Sequence, residues 1–362
     1  MKILVNRPVN SHPYLIQLYS KLRSMGMQVE FFDVSFTRFP LMLYNLLKVK
    51  SPTIFHLHWI ENIPSHPSAF KSFKKAIYML MILIITKLIP KLKIVITMHN
   101  LYSHERHHPT LERVFVAIML RLADAIITHT NYSKERISRY YGVCEEKITV
   151  IPHGNFIKYY GVVSTEEARM KMNIEPEKMV YLFFGHVRKY KGLDTLISAL
   201  SKLIEDSVEK LQKTLFIIAG KFREPSLLRS LMELKQKCSG LIIIRNEFIP
   251  DKDVPTLISC CDVGILPYHE ITTPGSLLLF ISFGKPVIIR NLASLKELTS
   301  QDFCIFFTDE KSLYKAILQA LELKKKGQLE LMGKRALNHA LKYDWFQVSL
   351  KHFKLFNKLF RK

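Results

Sequence analysis

Two cations, Arg188 and Lys191, follow a glycine in the run Phe184-Gly185-His186-Val187-Arg188-Lys189-Tyr190-Lys191-Gly192, and that spacing is chemistry for an anion. Glycine lets the backbone approach a phosphate closely. A helix start offers unpaired N–H groups and a partial positive charge, and two cations can neutralise a diphosphate. The logic recurs downstream. Ala219-Gly220-Lys221 joins a glycine to a cation, and Pro267-Tyr268-His269-Glu270-Ile271-Thr272-Thr273-Pro274-Gly275-Ser276 sets hydroxyl residues and a glycine before an apolar run. The hydroxyls of Thr273 and Ser276, with the backbone N–H groups near Gly275, would form an anion nest closed by a helix dipole. With Arg188 and Lys191 the loops would grip one diphosphate from two sides.

The first half gathers a different chemistry. His56-Leu57-His58-Trp59-Ile60-Glu61, the loop from Thr97 through His99, Asn100 and His104 to Glu105, and Thr128-His129-Thr130-Asn131 each follow a short apolar run. Imidazole and carboxylate together suit proton transfer or the binding of sugar hydroxyls. His56 and His58 stand two apart, so on a strand both rings point to one side. No H-x-x-x-H pair falls on a helix face, so these groups do not read as a metal site.

The apolar pattern supplies elements to hold these groups. Strand-like runs at Lys2–Val5, Val29–Val34, Thr53–His58, Lys93–Thr97, Ala125–Thr130 and Ile148–Ile151 alternate with helical periodicity at Tyr14–Met25, Leu111–Leu122 and Ser133–Tyr141. Short strands separated by helices imply right-handed crossovers and a parallel sheet covered on both faces. The histidine-bearing loops then follow carboxyl ends of strands, where ligands collect in open α/β sheets. The first strand runs into Asn6-Arg7-Pro8-Val9-Asn10 without a glycine, so the dinucleotide fingerprint of a dehydrogenase is absent. After Ile151-Pro152-His153-Gly154-Asn155 the pattern weakens toward Pro176, where a linker is expected. The alternation restarts at Val180 and reads as a second Rossmann-like sheet, with helices from Leu193, Ser226, Asp253, Ser276, Glu310 and Gln328. The expected division is 1–158, 159–342 and a terminal helical segment, 343–362.

At 362 residues the chain exceeds one ordinary core, and 48% apolar residues are enough for two. Lys and Arg total 53 against 31 Asp and Glu, a formal charge of +22 that favours nucleotide phosphates, nucleic acid or an acidic membrane face. Nucleic acid lacks support, since no aromatic-basic strand motif or zinc spacing occurs and the basic residues are spread. Five scattered cysteines without C-x-x-C spacing read as reduced thiols, with no zinc site or disulfide frame. The opening Met1-Lys2-Ile3-Leu4-Val5-Asn6-Arg7-Pro8 is a strand and turn rather than a signal peptide, so a cytoplasmic protein is expected. The run from Ala76 to Pro90 is apolar for about a dozen positions, short of the ~20 a span requires. It is expected to pack as a buried helix beside the sheet. The other reading lays it on lipid, with Lys71, Lys74, Lys75, Lys87, Lys91 and Lys93 at phosphate heads.

In this order the motifs resemble the GT-B glycosyltransferases, specifically the group-1, family-4-like enzymes of exopolysaccharide and mannosyltransferase type. The resemblance rests on Gly185 with Lys191-Gly192-Leu193-Asp194, on Ala219-Gly220, on Asp262-Val263-Gly264-Ile265-Leu266-Pro267 and on Ser282-Phe283-Gly284-Lys285-Pro286-Val287. Ile151-Pro152-His153-Gly154 and the closing Tyr343-Asp344-Trp345 also fit. It implies an α/β protein of two Rossmann-like domains facing across a cleft, with a C-terminal helix crossing back to the N-terminal domain. It implies transfer of a hexose from a nucleotide sugar, GDP-mannose or a UDP-sugar, held by the C-terminal domain. The acceptor would be a glycan or lipid-linked glycan on the N-terminal domain, in polysaccharide or glycolipid biosynthesis. Neither metal nor cofactor is implied, because cations and helix N-termini stabilise the leaving diphosphate.

The family's phosphate-loop Arg/Lys pair falls on His186 and Lys191, with Arg188 placed to supply the missing guanidinium. By the same resemblance His99 falls where these enzymes keep a histidine near the reacting sugar. His56, His58 and Asn100 are the acceptor-side candidates. Two glutamates often seen in the family would fall on Ile271 and Leu279, so both are missing, although Glu270 lies beside the first. That departure leaves retention or inversion open and turns attention to Glu61 or Glu105 as a base for an inverting displacement. It also keeps in view a non-catalytic relative and a sugar-nucleotide epimerase on the same fold. The donor-side set is Gly185, His186, Arg188, Lys191, Gly220, Lys221, Glu270, Thr273, Gly275 and Ser276. The expected location is cytoplasmic, with peripheral attachment to the inner face of an anionic plasma membrane.

Overall fold

The computed structural model describes residues 1–361 except His104, residues 208–210 and Ser239. In chain order the elements are β1 (Lys2–Val5), α1 (Pro13–Ser24), β2 (Gln28–Phe31), α2 (Phe39–Leu47), β3 (Thr53–His58), α3 (Ala69–Lys87), β4 (Leu92–Thr97), α4 (Pro109–Leu122), β5 (Ala125–Thr128), α5 (Asn131–Tyr141) and β6 (Ile148–Val150). Then follow α6 (Thr165–Lys171), β7 (Met179–Phe184), α7 (Leu193–Ser207), β8 (Thr214–Ala219), α8 (Pro225–Lys237), β9 (Ile242–Arg245), α9 (Val254–Cys260) and β10 (Val263–Leu266). The chain closes with α10 (Gly275–Ser282), β11 (Val287–Arg290), β12 (Cys304–Phe307), α11 (Glu310–Lys325), α12 (Gln328–Leu341) and α13 (Trp345–Lys358). Contacts divide it into Met1–Gly154 with Tyr343–Lys362, and Asn155–Lys342.

In the first unit the strand order is β2-β1-β3-β4-β5-β6, and every described pairing is parallel. The strands are apolar because both faces are covered, and β3 is buried at every residue. His58 lies opposite Thr97 and Thr97 opposite Ile127, so the carboxyl ends of β3, β4 and β5 are level and their loops share one edge. On one face, α13 starts where the Asp344 carboxylate accepts from Phe346 N–H at 2.8 Å, then buries Trp345, Val348 and Phe356 against Tyr14, Leu15 and Leu18 of α1. On the other face α3 and α4 pack over Leu57, Ile94 and Ile96.

α3 departs from the expected fully buried helix. Ala76, Met79, Leu80, Ile82 and Leu83 face the core, but Phe70, Phe73, Ile77, Met81, Ile84 and Leu88 are exposed by more than a third of their surface. Steps of three and four residues place these six on a single stripe. An apolar run without polar interruptions conceals which side meets the sheet, so the sequence could not separate the two faces. For the same reason α2, apolar nearly all round, left no helical period to detect.

The second unit repeats the parallel architecture in the order β12-β11-β10-β7-β8-β9. Tyr181 of β7 stacks on Phe216 of β8 with centroids 4.7 Å apart. The stretch before Pro176, expected as linker, instead holds α6. Arg169 of that helix donates to Asp262 at 2.8 Å, and the same carboxylate oxygen accepts from Lys324 at 2.8 Å and from Val180 N–H at 2.7 Å. The five cysteines are free, and only Cys144 is exposed.

Candidate active site

In the second unit β7 and β10 are paired, so the loops that leave them lie side by side. Gly192 makes the contact. Its φ is +72°, and a Cβ there would lie 1.8 Å from the Pro267 carbonyl oxygen, so no other residue fits without moving a backbone. His269 N–H donates to the Tyr190 carbonyl at 2.8 Å, and its ring Nε2 meets the Asp194 carboxylate at 2.8 Å. Gly220, at φ +144°, closes the other side, where a Cβ would come within 2.2 Å of the Gly185 oxygen. Three separate stretches of sequence thus form one packed assembly at the strand ends.

Lys191 is its centre. The side chain turns back beneath Gly185, with Nζ 3.4 Å from the Phe184 carbonyl oxygen and 5.9 Å from the Tyr268 ring centroid. It is 8% exposed, and among the described residues no carboxylate pairs with it. Burial, and then the charge of Arg188, lower its pKa to about 8. A buried ammonium without a counter-ion is costly, and an arriving phosphate would supply the partner. Tyr268 continues the path, its hydroxyl 2.8 Å from Ser276 Oγ in the first turn of α10, which no side chain caps. With no side-chain cap, the N–H groups at the start of that turn are open to an anion.

The remaining donor-side candidates surround this centre with less commitment. Arg188 is half-buried, and His186 is exposed beside it. Desolvation, then the charges of Lys191, Arg223 and Arg188, lower the His186 pKa, which keeps this ring neutral among cations. Lys221, Glu270 and Gly275 are exposed, and Thr273 is half-buried. Of the positions where family glutamates were sought, Leu279 points into the core.

The first unit builds its strand-end chemistry from imidazoles. His129 Nδ1 lies 2.9 Å from the Ile151 carbonyl oxygen, and its Nε2 lies 3.2 Å from His99 Nδ1. His99 Nε2 meets His58 Nδ1 at 3.1 Å, and His58 Nε2 meets the Tyr19 hydroxyl at 2.7 Å. The hydroxyl continues to His56 Nδ1 at 2.8 Å, and His56 Nε2 ends on Thr97 Oγ1 at 2.8 Å. His56, His58 and His129 are buried, whereas His99 is half-buried. Among the described residues no group of His, Cys, Asp or Glu could hold a metal ion. Asn6 clamps the end of β3 by accepting from His58 N–H at 2.9 Å and donating to its carbonyl at 3.2 Å. The next residue, Trp59, takes φ +53°, a left-handed conformation that costs a bulky side chain about 1–3 kcal/mol, and stacks on His99 with centroids 4.4 Å apart.

Glu61 follows within the same loop. It is 1% exposed, one carboxylate oxygen accepts from the Asn100 amide at 3.2 Å, and among the described residues the other has no partner. Burial raises its pKa to about 7, against the lowering pull of its own backbone N–H, Asn100 and Arg7. It lines a cavity of ≈ 10 Å³, room for about one water, with Ser103, Arg106 and Tyr141 among the walls. Glu105 is exposed on the surface, and His104 lies outside the described residues.

Residues 12–155 match the family model of Glycosyltransferase Family 4, and residues 178–323 match that of Glycosyl transferases group 1. The chain belongs to the group-1 glycosyltransferases of the GT-B fold. This glycosyltransferase is 26% identical over 279 residues to the GDP-mannose:glycolipid 4-beta-D-mannosyltransferase of Xanthomonas campestris pv. campestris, covering 77% of its own chain and 70% of that one. Its fold matches sucrose-phosphate synthase from Thermosynechococcus elongatus with a TM-score of 0.76 at 15% identity, over 99% and 98% of the two chains. It matches Anabaena HepE in complex with UDP-glucose at 0.73 and 16%, over 99% and 100%. The expected α/β class with two Rossmann-like sheets is what the glycosyltransferase adopts.

Sequence reasoning missed Tyr14 and Tyr19 of α1, which with Trp345 of α13 close the histidine cluster from the helix side. Tyr14 packs edge-on to His99 at 4.8 Å and to Trp345 at 5.3 Å. No local signal could have found them, because aromatic residues on an amphipathic helix read as ordinary core.

Proposed function

We propose that the glycosyltransferase moves a hexose, mannose first among the candidates, from a nucleotide sugar to a lipid-linked glycan at an anionic membrane surface. The observation that carries this reading is Lys191, a buried cation with no carboxylate partner among the described residues, set between a glycine turn and an uncapped helix start. The second unit takes the donor diphosphate on Lys191, Arg188 and the first turn of α10. No cofactor or metal enters, since these groups stabilise the leaving charge. Similarity to a GDP-mannose-dependent relative puts GDP-mannose ahead of UDP-sugars as donor.

The first unit takes the acceptor, and Glu61 serves as its base in an inverting displacement. The acceptor oxygen bonds to the anomeric carbon as the bond to the diphosphate oxygen breaks. The acceptor proton passes to Glu61, and the negative charge leaves on the diphosphate. A carboxyl group with pKa about 7 is matched to that task near neutral pH, which favours Glu61 over exposed Glu105. Thermal-shift titration with GDP, UDP and their sugars, followed by NMR of the product's anomeric centre, tests the assignment. Stabilisation by one nucleotide and an inverted product are expected. A retained anomer removes Glu61 from this role, and isomerised donor without acceptor would make the protein an epimerase.

The stripe on α3 supports membrane attachment. Val114 and Ile118 of the neighbouring α4 extend it, and Lys71, Lys74, Lys75, Lys87 and Lys91 are exposed around it. Among the described residues no helix is long and apolar enough to cross a membrane. Flotation with phosphatidylglycerol vesicles should carry the protein upward and fail in Phe70→Ser/Ile84→Ser. Flotation unaffected by that pair would remove α3 as the attachment face.

A further inference from the structure

The groups between Ile151 and Thr97 form an unbroken hydrogen-bond chain, and one end fixes its direction. A carbonyl oxygen can only accept, so the proton on His129 sits on Nδ1. A neutral imidazole then has its lone pair on Nε2, and His99 must donate to it from Nδ1. The step repeats along the chain. His58 donates from Nδ1 to His99 Nε2, the Tyr19 hydroxyl donates to His58 Nε2, His56 donates from Nδ1 to the Tyr19 oxygen, and Thr97 donates to His56 Nε2. Every proton points toward Ile151, and all four imidazoles carry theirs on Nδ1. A proton placed on His99 Nε2 would face the His58 N–H. The clash clears only if His58, Tyr19, His56 and Thr97 reverse together.

We propose that the Ile151 carbonyl, acting through His129, locks the tautomer of this chain and so holds His99 neutral with both ring nitrogens engaged, making His129 a positioning residue. On the reading that the first unit takes the acceptor, the half-buried His99 then meets the sugar with a C–H edge and its backbone, and it transfers no proton. That duty falls to Glu61. Trp59, stacked on His99, and Tyr14, edge-on to it, fix the plane of the same ring. The environment agrees. Burial lowers the pKa of His56, His58, His99 and His129, and the further groups that act on His56, His58 and His99 are imidazoles, His12, His153 and His352 among them.

Long-range ¹H–¹⁵N spectra of the imidazoles in the ¹⁵N-labelled full chain at pH 7 test the lock without any substrate. The expected result is four neutral Nδ1–H rings at His56, His58, His99 and His129. Free histidine prefers the opposite tautomer, so the pattern cannot arise by default, and a single Nε2–H or imidazolium ring among the four overturns the proposal. His129→Leu removes the acceptor of the His99 proton; mixed tautomers at His99 and a kcat lower by about 10- to 100-fold, with donor KM unchanged, are expected. His129→Gln returns an amide oxygen at that place and should recover most of the loss. A folded His129→Leu protein with unchanged His99 spectrum and kcat overturns the proposal. Should that variant not fold, Tyr19→Phe decides, because it cuts the chain beyond His58. The tautomer of His56 should relax while that of His99 stays, and a change at His99 would show that control runs from the other end. Since the spectra need no turnover, failure of the sugar-transfer reading leaves this outcome separately legible.

Discussion

At its strand ends the second unit buries a cation that has no carboxylate partner among the described residues, whereas the first unit buries imidazoles and ties them to one another. Both sites stand on the same parallel layout, yet their electrostatics are opposite. On the proposed reading Lys191 is completed from outside, by an anion. The histidine chain is complete already and leaves Glu61, with one oxygen unpartnered among the described residues, as the group open to exchange. A fold that brings loops together does not choose between these designs. The residue types do, through what each can donate or accept once water is removed.

The sharpest way to break the contrast is at Lys191. Lys191→Met should lower kcat/KM by ~10³-fold, as removal of a preorganised charge donor does, while the unfolding midpoint stays or rises because a buried unpaired charge is gone. A loss of stability with activity kept would make Lys191 a structural residue. In the wild type, donor affinity should fall as pH rises above about 8, since only the ammonium form binds the diphosphate. Isothermal titration with GDP across pH 6.5–9 reads that slope, in roughly unit steps.

On the other side of the comparison, Glu61→Gln should cost on the order of 10²-fold in kcat and abolish the rise of kcat/KM with pH through about 7. An unchanged profile would transfer the base role elsewhere. Acid should separate the units next. His129 and His352 have pKa values pushed from 6.5 down to about 4, so the unfolded chain binds more protons than the folded one between these values. Their contribution is fully present above pH 6.5 and is lost as pH falls toward 4, on the order of 3 kcal/mol for each ring. Both tryptophans, Trp59 and Trp345, belong to the first unit, so tryptophan fluorescence should report loss of packing at a higher pH than far-UV circular dichroism does for the whole. Coincident transitions would deny the asymmetry. The smallest effect is expected from Arg188→Lys, which keeps the charge but loses the planar fork. About 1–2 kcal/mol of donor binding should go, read as a ~10-fold rise in KM.

Much of the second unit's site was legible because its requirements are local. Gly185, Lys191 and Gly192 lie in one turn and can be read from the chain, whereas the φ of +72° that sets Gly192 against the Pro267 carbonyl cannot. The first unit's site was legible in its loops but not in its logic. His56, His58, His99 and His129 could be named from strand ends, yet the carbonyl that orders them and the Tyr19 hydroxyl that joins them come from β6 and α1. α3 shows the same limit, since an unbroken apolar run fixes a helix but not its buried side.

By itself the sequence determined two parallel α/β sheets, the polar loops at their strand ends, and an anion-directed charge balance, because strand and helix periods and glycine turns depend on neighbours in the chain. Only the tertiary structure decided that Lys191 is buried with no carboxylate partner among the described residues, that the imidazoles join in one hydrogen-bonded chain, and that Glu61 holds a partly satisfied carboxyl group. Charge state and tautomer depend on which distant groups exclude water and which donate, and those partners meet only when the sheet is assembled.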